Sequence, residues 1–139
     1  MSADDIVLRA MGAFSDGDRA AWEASLTPDC VYWEPCTGRR AEGAAQVADL
    51  VFGWKASWPD LRNSDTRTVA QGDEVAMETV WLGTQSGPLV TPDGQTLPAT
   101  GKQTVNPAAM MVRVRDGKMA EMHHYFDLAN IMRQLGLIE

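Results

Sequence analysis

The chain has 139 residues, 45% of them hydrophobic and 22% charged, which is enough for a single domain over residues 1–139 with its own core. A formal net charge of −7 leaves no cluster of Lys and Arg to neutralise phosphates, which excludes nucleic acid and disfavours an anionic membrane surface. No apolar run approaches the roughly 18 residues of a membrane span. The start, Met1-Ser-Ala-Asp-Asp5, has no basic-then-apolar signal segment. Cys30 and Cys36 lack metal-binding CxxC spacing and read as free thiols, so a cytoplasmic protein is expected.

Taken in order, Ile6, Val7, Ala10, Met11 and Phe14 recur at helical spacing and predict a helix over residues 4–14. Asp18 is placed to cap a second helix over residues 19–26. Thr27-Pro28-Asp29 reads as a break and Cys30–Glu34 as a strand stopped by Pro35, followed by loop to Glu42. Ala44, Val47, Leu50, Val51, Trp54 and Trp58 follow the 3.6 period of a third helix over residues 43–58. Strands are predicted over residues 62–70 and 74–84, joined at Gly72-Asp73; in the second, Val75, Met77, Thr79 and Trp81 share a face. Residues 86–101, rich in Gly, Pro and Thr, form a long loop with turn signals at Pro92-Asp-Gly94 and Thr100-Gly101. This loop is either a lid or a surface excursion. Another strand covers residues 102–114, with a bulge or an edge expected at Asn106-Pro107.

Asp116-Gly117 is a type I′ hairpin signal, since that turn needs positive φ at both central residues. A regular ladder from this turn sets Val114 opposite Met119, Met110 opposite His123 and Asn106 opposite Asp127. One face then carries Asn106, Met110, His123, Tyr125 and Asp127, and the other carries Met111, Met122, His124 and Phe126. The first face, apolar with a few convergent polar groups, has the character of a small-molecule pocket. Its apolar wall would include Met110, with Trp33, Trp54, Trp58 and Trp81 as further candidates. A short closing helix follows, and Asp127 stands where its N-cap belongs. Helices first and antiparallel strands after them make the class α+β.

Trp58-Pro-Asp-Leu-Arg62, Gly72-Asp-Glu-Val75, Gly83-Thr-Gln-Ser-Gly87, Pro98-Ala-Thr-Gly-Lys102, Arg115-Asp-Gly-Lys-Met-Ala-Glu121, Asp127 and Gln134-Leu-Gly136, in that order, resemble the SnoaL-like polyketide cyclase group of the NTF2-like superfamily. The resemblance implies a cone: N-terminal helices packed on a strongly curved, mainly antiparallel sheet that encloses an apolar pocket. It also implies a homodimer, and acid/base aldol or enolisation chemistry with neither metal nor organic cofactor. Asp127 matches the general acid/base of those cyclases. Their histidine on the preceding strand has no counterpart in residues 103–113, and Gln85 stands where many members carry histidine.

The expected function is therefore a cyclase or isomerase acting on an apolar carbonyl compound. Asp127 would be the acid/base, assisted by His123 on the same predicted face or by Glu34. Glu34 matches the strand-end position at which steroid isomerases of the superfamily place a proton-abstracting Asp. Asn106 and Tyr125 would polarise the carbonyl. On this mechanism Asp127→Asn removes turnover without unfolding the protein. The alternative is a non-catalytic protein binding a small molecule in the same pocket. Two histidines on opposite faces cannot chelate one ion, so no zinc site is expected.

Overall fold

The computed structural model describes residues 1–91 and 93–139; Pro92, part of one expected turn signal, lies outside them. The elements are α1 (Ala3–Ser15), α2 (Arg19–Ala24), β1 (Leu26–Glu34), β2 (Arg39–Glu42), α3 (Ala44–Ser57), β3 (Arg62–Gln71), β4 (Glu74–Thr84), β5 (Leu89–Val90), β6 (Thr96–Leu97), β7 (Gln103–Arg115), β8 (Lys118–Phe126) and α4 (Leu128–Gln134). Six strands form one sheet in the order β2-β1-β8-β7-β4-β3, and β5 and β6 form a separate two-stranded ribbon. All pairings in the large sheet are antiparallel except β1 with β8.

Periodicity decides what covers the concave face. Helix α1 turns Ile6, Val7, Ala10, Met11 and Phe14 inward, and α3 contributes Val47 and Val51. They meet Val75 and Met77 of β4, Met110, Val112 and Val114 of β7, and Met119 and Met122 of β8 in one core. A second apolar group, Trp58, Leu89, Ile131 and Leu135, closes one end of the cone with α4. The α+β class and the curved, mainly antiparallel sheet are as expected. Among the described residues no helix is long and apolar enough to cross a membrane.

The elements differ from expectation at several points, among them the β5–β6 ribbon inside the expected loop over residues 86–101. Strand β1 begins at Leu26 and runs through Pro28, because its register against β8 shifts between Leu26 and Val31 and no regular ladder bond is needed at the proline. The expected loop before Glu42 contains β2, which folds back so that Glu34 pairs with Arg39. Pro107 carries no bulge: it pairs with Val80 in unbroken register and lies one residue past the last β7–β8 pair, Ala108 with Phe126.

The bulge lies elsewhere, and it repositions the site. Asp116 and Gly117 take φ of 54° and 73°, as the I′ turn requires, and Arg115–Lys118 and Val114–Met119 pair as expected. Arg113 then pairs with Glu121, leaving Ala120 as an extra residue on β8. Past Ala120 every side chain faces the opposite way from a regular ladder. His124 opposes Met110 and Phe126 opposes Ala108, while His123 opposes Met111 and Tyr125 opposes Ala109.

Candidate active site

The concave face and the helices enclose an apolar cavity with about 60 Å³ of free interior. Met11, Phe14, Trp22, Tyr32, Val51, Trp54, Trp58, Leu61, Trp81, Thr104, Asn106, Met110, His124, Phe126 and Ile131 line it. Of the residues expected there, Asn106, Met110, Trp54, Trp58 and Trp81 line it. His123, Tyr125 and Trp33 are corrections. The bulge turns His123 and Tyr125 to the convex face, where Tyr125 is 43% exposed and the His123 ring stands edge-on to Trp33 at 5.4 Å. Trp33 is outward for a related reason: it alternates with the buried Tyr32 and Glu34 on β1 and pairs with His123.

Asp127 stands apart from the cavity. Its carboxylate accepts the Asn130 backbone N–H at 3.0 Å as the N-cap of α4, and its side chain is 60% exposed. It lies one residue past the end of β8, on the solvent side, and does not line the cavity.

Glu34 is where the polar chemistry converges. It is fully buried, and a tight turn positions its partners: Gly38 N–H donates to the Glu34 carbonyl at 2.8 Å, and Gly38 takes φ of 76°, which brings Arg39 back alongside. One carboxylate oxygen accepts from Tyr32 Oη at 2.7 Å and from Trp54 Nε1 at 2.9 Å. The other accepts from Thr37 Oγ1 at 2.9 Å and Arg39 Nε at 3.0 Å, with Arg39 Nη2 at 2.9 Å. The Arg39 guanidinium also lies over the Trp54 ring, 5.0 Å from its centre. A buried carboxylate surrounded by five donors from four side chains and paired with an arginine is a satisfied charge. Glu34 does not itself line the cavity; it reaches it through Tyr32 and Trp54.

From Glu34 the chain of bonds continues inward. Tyr32 Oη lies 2.8 Å from His124 Nδ1, and Trp81 Nε1 donates to His124 Nε2 at 3.1 Å. The protons can be assigned. An indole N–H only donates, so His124 Nε2 is the accepting nitrogen. The Tyr32 proton goes to the Glu34 carboxylate, so Tyr32 oxygen accepts from His124 Nδ1–H. His124 is therefore neutral, with its lone pair on the Nε2 side. Burial drives its pKa down to about 4, opposed by the Glu34 charge. Burial, and then Glu34, push Tyr32 well above the ordinary phenol range, which keeps it a donor.

Asn106 Oδ1 accepts from Asn130 Nδ2 at 2.8 Å, so helix α4 fixes its orientation. The loop at residues 86–101 is pinned at its base. Gln85 is buried and donates to the Gly87 carbonyl at 2.7 Å while accepting from Thr100 N–H and Oγ1, both at 2.7 Å. Gly87 N–H donates to Ser57 O at 3.0 Å, and a Cβ at Gly87 would lie 2.0 Å from Ala56 O. Among the described residues no three His, Cys, Asp or Glu side chains gather as a metal site.

The periodicity did not indicate His124, Tyr32, Phe126 or Arg39. A signal was nonetheless present on β8, where the inward residues Met119, Met122, His124 and Phe126 break strict alternation once, at Ala120.

The model of the SnoaL-like polyketide cyclase family matches residues 5–135. Among solved structures, the chain is similar to the "putative polyketide cyclase" of Xanthomonas campestris pv. campestris, at 26% identity over 96% of each chain and a TM-score of 0.83. It is equally similar to IdmH of Streptomyces antibioticus, described in the same words, at 26% identity over 98% of this chain and 99% of that one, with a TM-score of 0.83. A protein of ketosteroid isomerase-like fold from Catenulispora acidiphila DSM 44928, solved with trimethylamine, shares the fold at 20% identity, covering 96% and 93% of the two chains, with a TM-score of 0.80. No curated protein matches the chain.

Proposed function

The chain belongs to the SnoaL-like polyketide cyclase family, and from that premise we propose that it catalyses enolisation or aldol closure of an apolar carbonyl compound in the cone cavity. The observation that carries this reading is the buried line from His124 through Tyr32 to Glu34, opening on an otherwise apolar cavity. His124 Nε2 takes a proton from a carbon next to a carbonyl: the C–H bond breaks, an N–H bond forms, and the electron pair moves onto the carbonyl oxygen as an enolate. Trp81 N–H, released from Nε2, turns to that oxygen. The imidazolium charge is balanced through Tyr32 by Glu34. The enolate carbon then attacks a second carbonyl, and the proton returns to the new alkoxide.

Magnitudes narrow the substrate. A histidine with a pKa of about 4 is a weak base, so the proton it takes is one already acidified by two flanking carbonyls. Stabilisation of the enolate by donors contributes more than base strength. Arg39, 37% exposed beside Trp54, stands between the buried carboxylate and solvent and supplies the counter-charge. No step needs a redox or metal centre.

A second reading, a non-catalytic binding protein, is favoured by Trp81 occupying the His124 lone pair in the empty cavity. Aldol closure of an apolar aryl triketone, followed by absorbance, separates the two. The wild type accelerates closure, and a folded His124→Phe variant loses about 10²- to 10⁴-fold of that rate. An equal rate in the variant rules out the mechanism. Family membership also leads us to expect a homodimer. The convex face exposes Val105, Met111 and Tyr125, and a second copy would cover them.

A further inference from the structure

Among the described residues, His124 and Tyr32 are the only titratable side chains in the cavity wall. On the reading that His124 is the base, a proton taken from a substrate arrives first at its Nε2. The imidazolium formed there is poorly held, because the ring is buried in an apolar wall and burial disfavours its charged form.

The directions of the hydrogen bonds provide a way out for that charge. His124 Nδ1–H points at the Tyr32 oxygen at 2.8 Å, and the Tyr32 hydroxyl points at Glu34 Oε2 at 2.7 Å. The carboxylate oxygens of Glu34 have different partners. Oε1 accepts from Thr37 and Arg39, whereas Oε2 accepts from Tyr32 and Trp54. A proton arriving on Oε2 leaves Oε1 as a carbonyl oxygen, still able to accept from Thr37 and Arg39. Arg39 then keeps its hydrogen bonds, and its side chain is 37% exposed, so water can solvate the charge that Glu34 no longer balances.

We propose that Tyr32 passes the proton on and that Glu34, behind the cavity wall, holds it while the enolate exists. The His124 Nδ1–H bond breaks as a Tyr32 O–H bond forms. The original Tyr32 O–H bond breaks as a Glu34 Oε2–H bond forms, and the substrate's proton stays on Nε2. The products are a neutral imidazole of the opposite tautomer, a neutral tyrosine, a neutral carboxylic acid and the enolate. Both hydrogen bonds between His124 and Glu34 survive with their directions reversed. Burial and the Glu34 charge disfavour a tyrosinate, so the transfers through Tyr32 run together. Return of the proton to the alkoxide is the same sequence backwards. Glu34 thus acts through His124 and need not touch the substrate.

The test uses dimedone, a cyclic 1,3-diketone that is already an enolate at neutral pH. Its binding to the full chain recreates the state after proton abstraction, and the protein must take up a proton to reach it. Calorimetry in buffers of different ionisation enthalpy detects that uptake, and infrared and ¹⁵N NMR spectra locate the proton. The expected result is a protonated carboxyl band that shifts on ¹³C-glutamate labelling and is absent in Glu34→Gln. His124 should stay neutral, with its proton moved from Nδ1 to Nε2. Tyr32→Phe interrupts the line, so there both ring nitrogens should be protonated and the carboxyl band lost. A wild-type imidazolium with no carboxyl band overturns the proposal and leaves His124 as the base. Binding without proton uptake, or no binding of dimedone, overturns it as well. The catalytic reading is judged separately, by triketone closure in wild type and His124→Phe.

Discussion

His123 and His124 are adjacent in the chain, yet the sheet gives them different surroundings. His123 stands on the convex face against Trp33, with Nε2 3.4 Å from Glu121 Oε1 and access to water. His124 is buried on the concave face, and both ring nitrogens are committed, one to Tyr32 and one to Trp81. Side-chain identity is the same, so the difference in chemistry is entirely one of placement. Placement follows from a single extra residue, Ala120, upstream of both. A histidine is an acid/base candidate only once its face is known.

The most severe way to break this contrast is to remove what holds His124 in place. In Glu34→Ala, Tyr32 and Trp54 lose their acceptor and Arg39 loses its counter-charge. Taking one partner from a buried pair costs about 3–5 kcal/mol, and we expect a loss of that order in urea unfolding, together with loss of triketone closure. A change below about 1 kcal/mol would mean that the network is not an internal support of the fold. Glu34→Gln keeps acceptor and shape, and should recover part of the stability without the activity.

The contrast is sharpened by pH. The folded pKa of His124 is lowered to about 4, against about 6.5 unfolded. Above 6.5 the group is neutral in both states, and its favourable contribution is complete. As pH falls from 6.5 towards 4, the unfolded chain takes up a proton that the folded one refuses, so stability is lost across that window. The shift amounts to about 3 kcal/mol. His124→Phe should therefore flatten the difference in unfolding free energy between pH 7 and 4 by that order, while His123→Phe retains the wild-type slope. Equal slopes in wild type and His124→Phe would place His124 in contact with water.

The fold was legible because its signals are local and redundant. Helical spacing in α1 and α3, alternation along β4 and the Asp116-Gly117 turn each specify their element without help from distant residues. Half of the site was legible for the same reason: Asn106, Met110 and Trp81 sit on strands whose alternation is never interrupted. The other half was not. His123, Tyr125 and Trp33 lie on the face opposite to the expected one because period two carries no information about absolute phase after an irregularity, and β1 alternates Tyr32 with Trp33, aromatic on both faces. Glu34 stands out in the sequence as a strand-end carboxylate, but its place behind the cavity wall does not. Its partners come from β1, from the turn, from β2 and from α3, and only the sheet order brings His124 to it.

A gentler perturbation bears on the convex face. Met111→Glu adds a charge opposite His123 on the exposed face of β7, leaving the inward alternation of the strand intact. If a second copy covers this face, sedimentation should show a dimer for wild type and a monomer for the variant, with triketone closure altered less than tenfold. A wild-type monomer would remove the homodimer from the proposal.

The smallest expected effect falls on the residue that the sequence made most prominent. Asp127 stands where the sequence resemblance implies an acid/base, but its oxygen receives the Asn130 N–H, and its other near neighbour is Arg133, 3.9 Å away on the same helix. An N-cap aspartate replaced by alanine costs about 1 kcal/mol, and asparagine caps about as well as aspartate. Asp127→Ala should therefore lower unfolding stability by about that amount, and Asp127→Asn should leave both stability and triketone closure nearly unchanged. Indirect coupling through α4 is the remaining route to the cavity, because Asn130 also holds Asn106 at 2.8 Å and Ile131 forms part of the wall. Coupling of that kind appears in Asp127→Ala, where the helix start frays, but not in Asp127→Asn, where the cap survives. A folded Asp127→Asn that has lost closure by a hundredfold or more would instead mean that the carboxylate itself does the chemistry, and would return the acid/base role from His124 to Asp127.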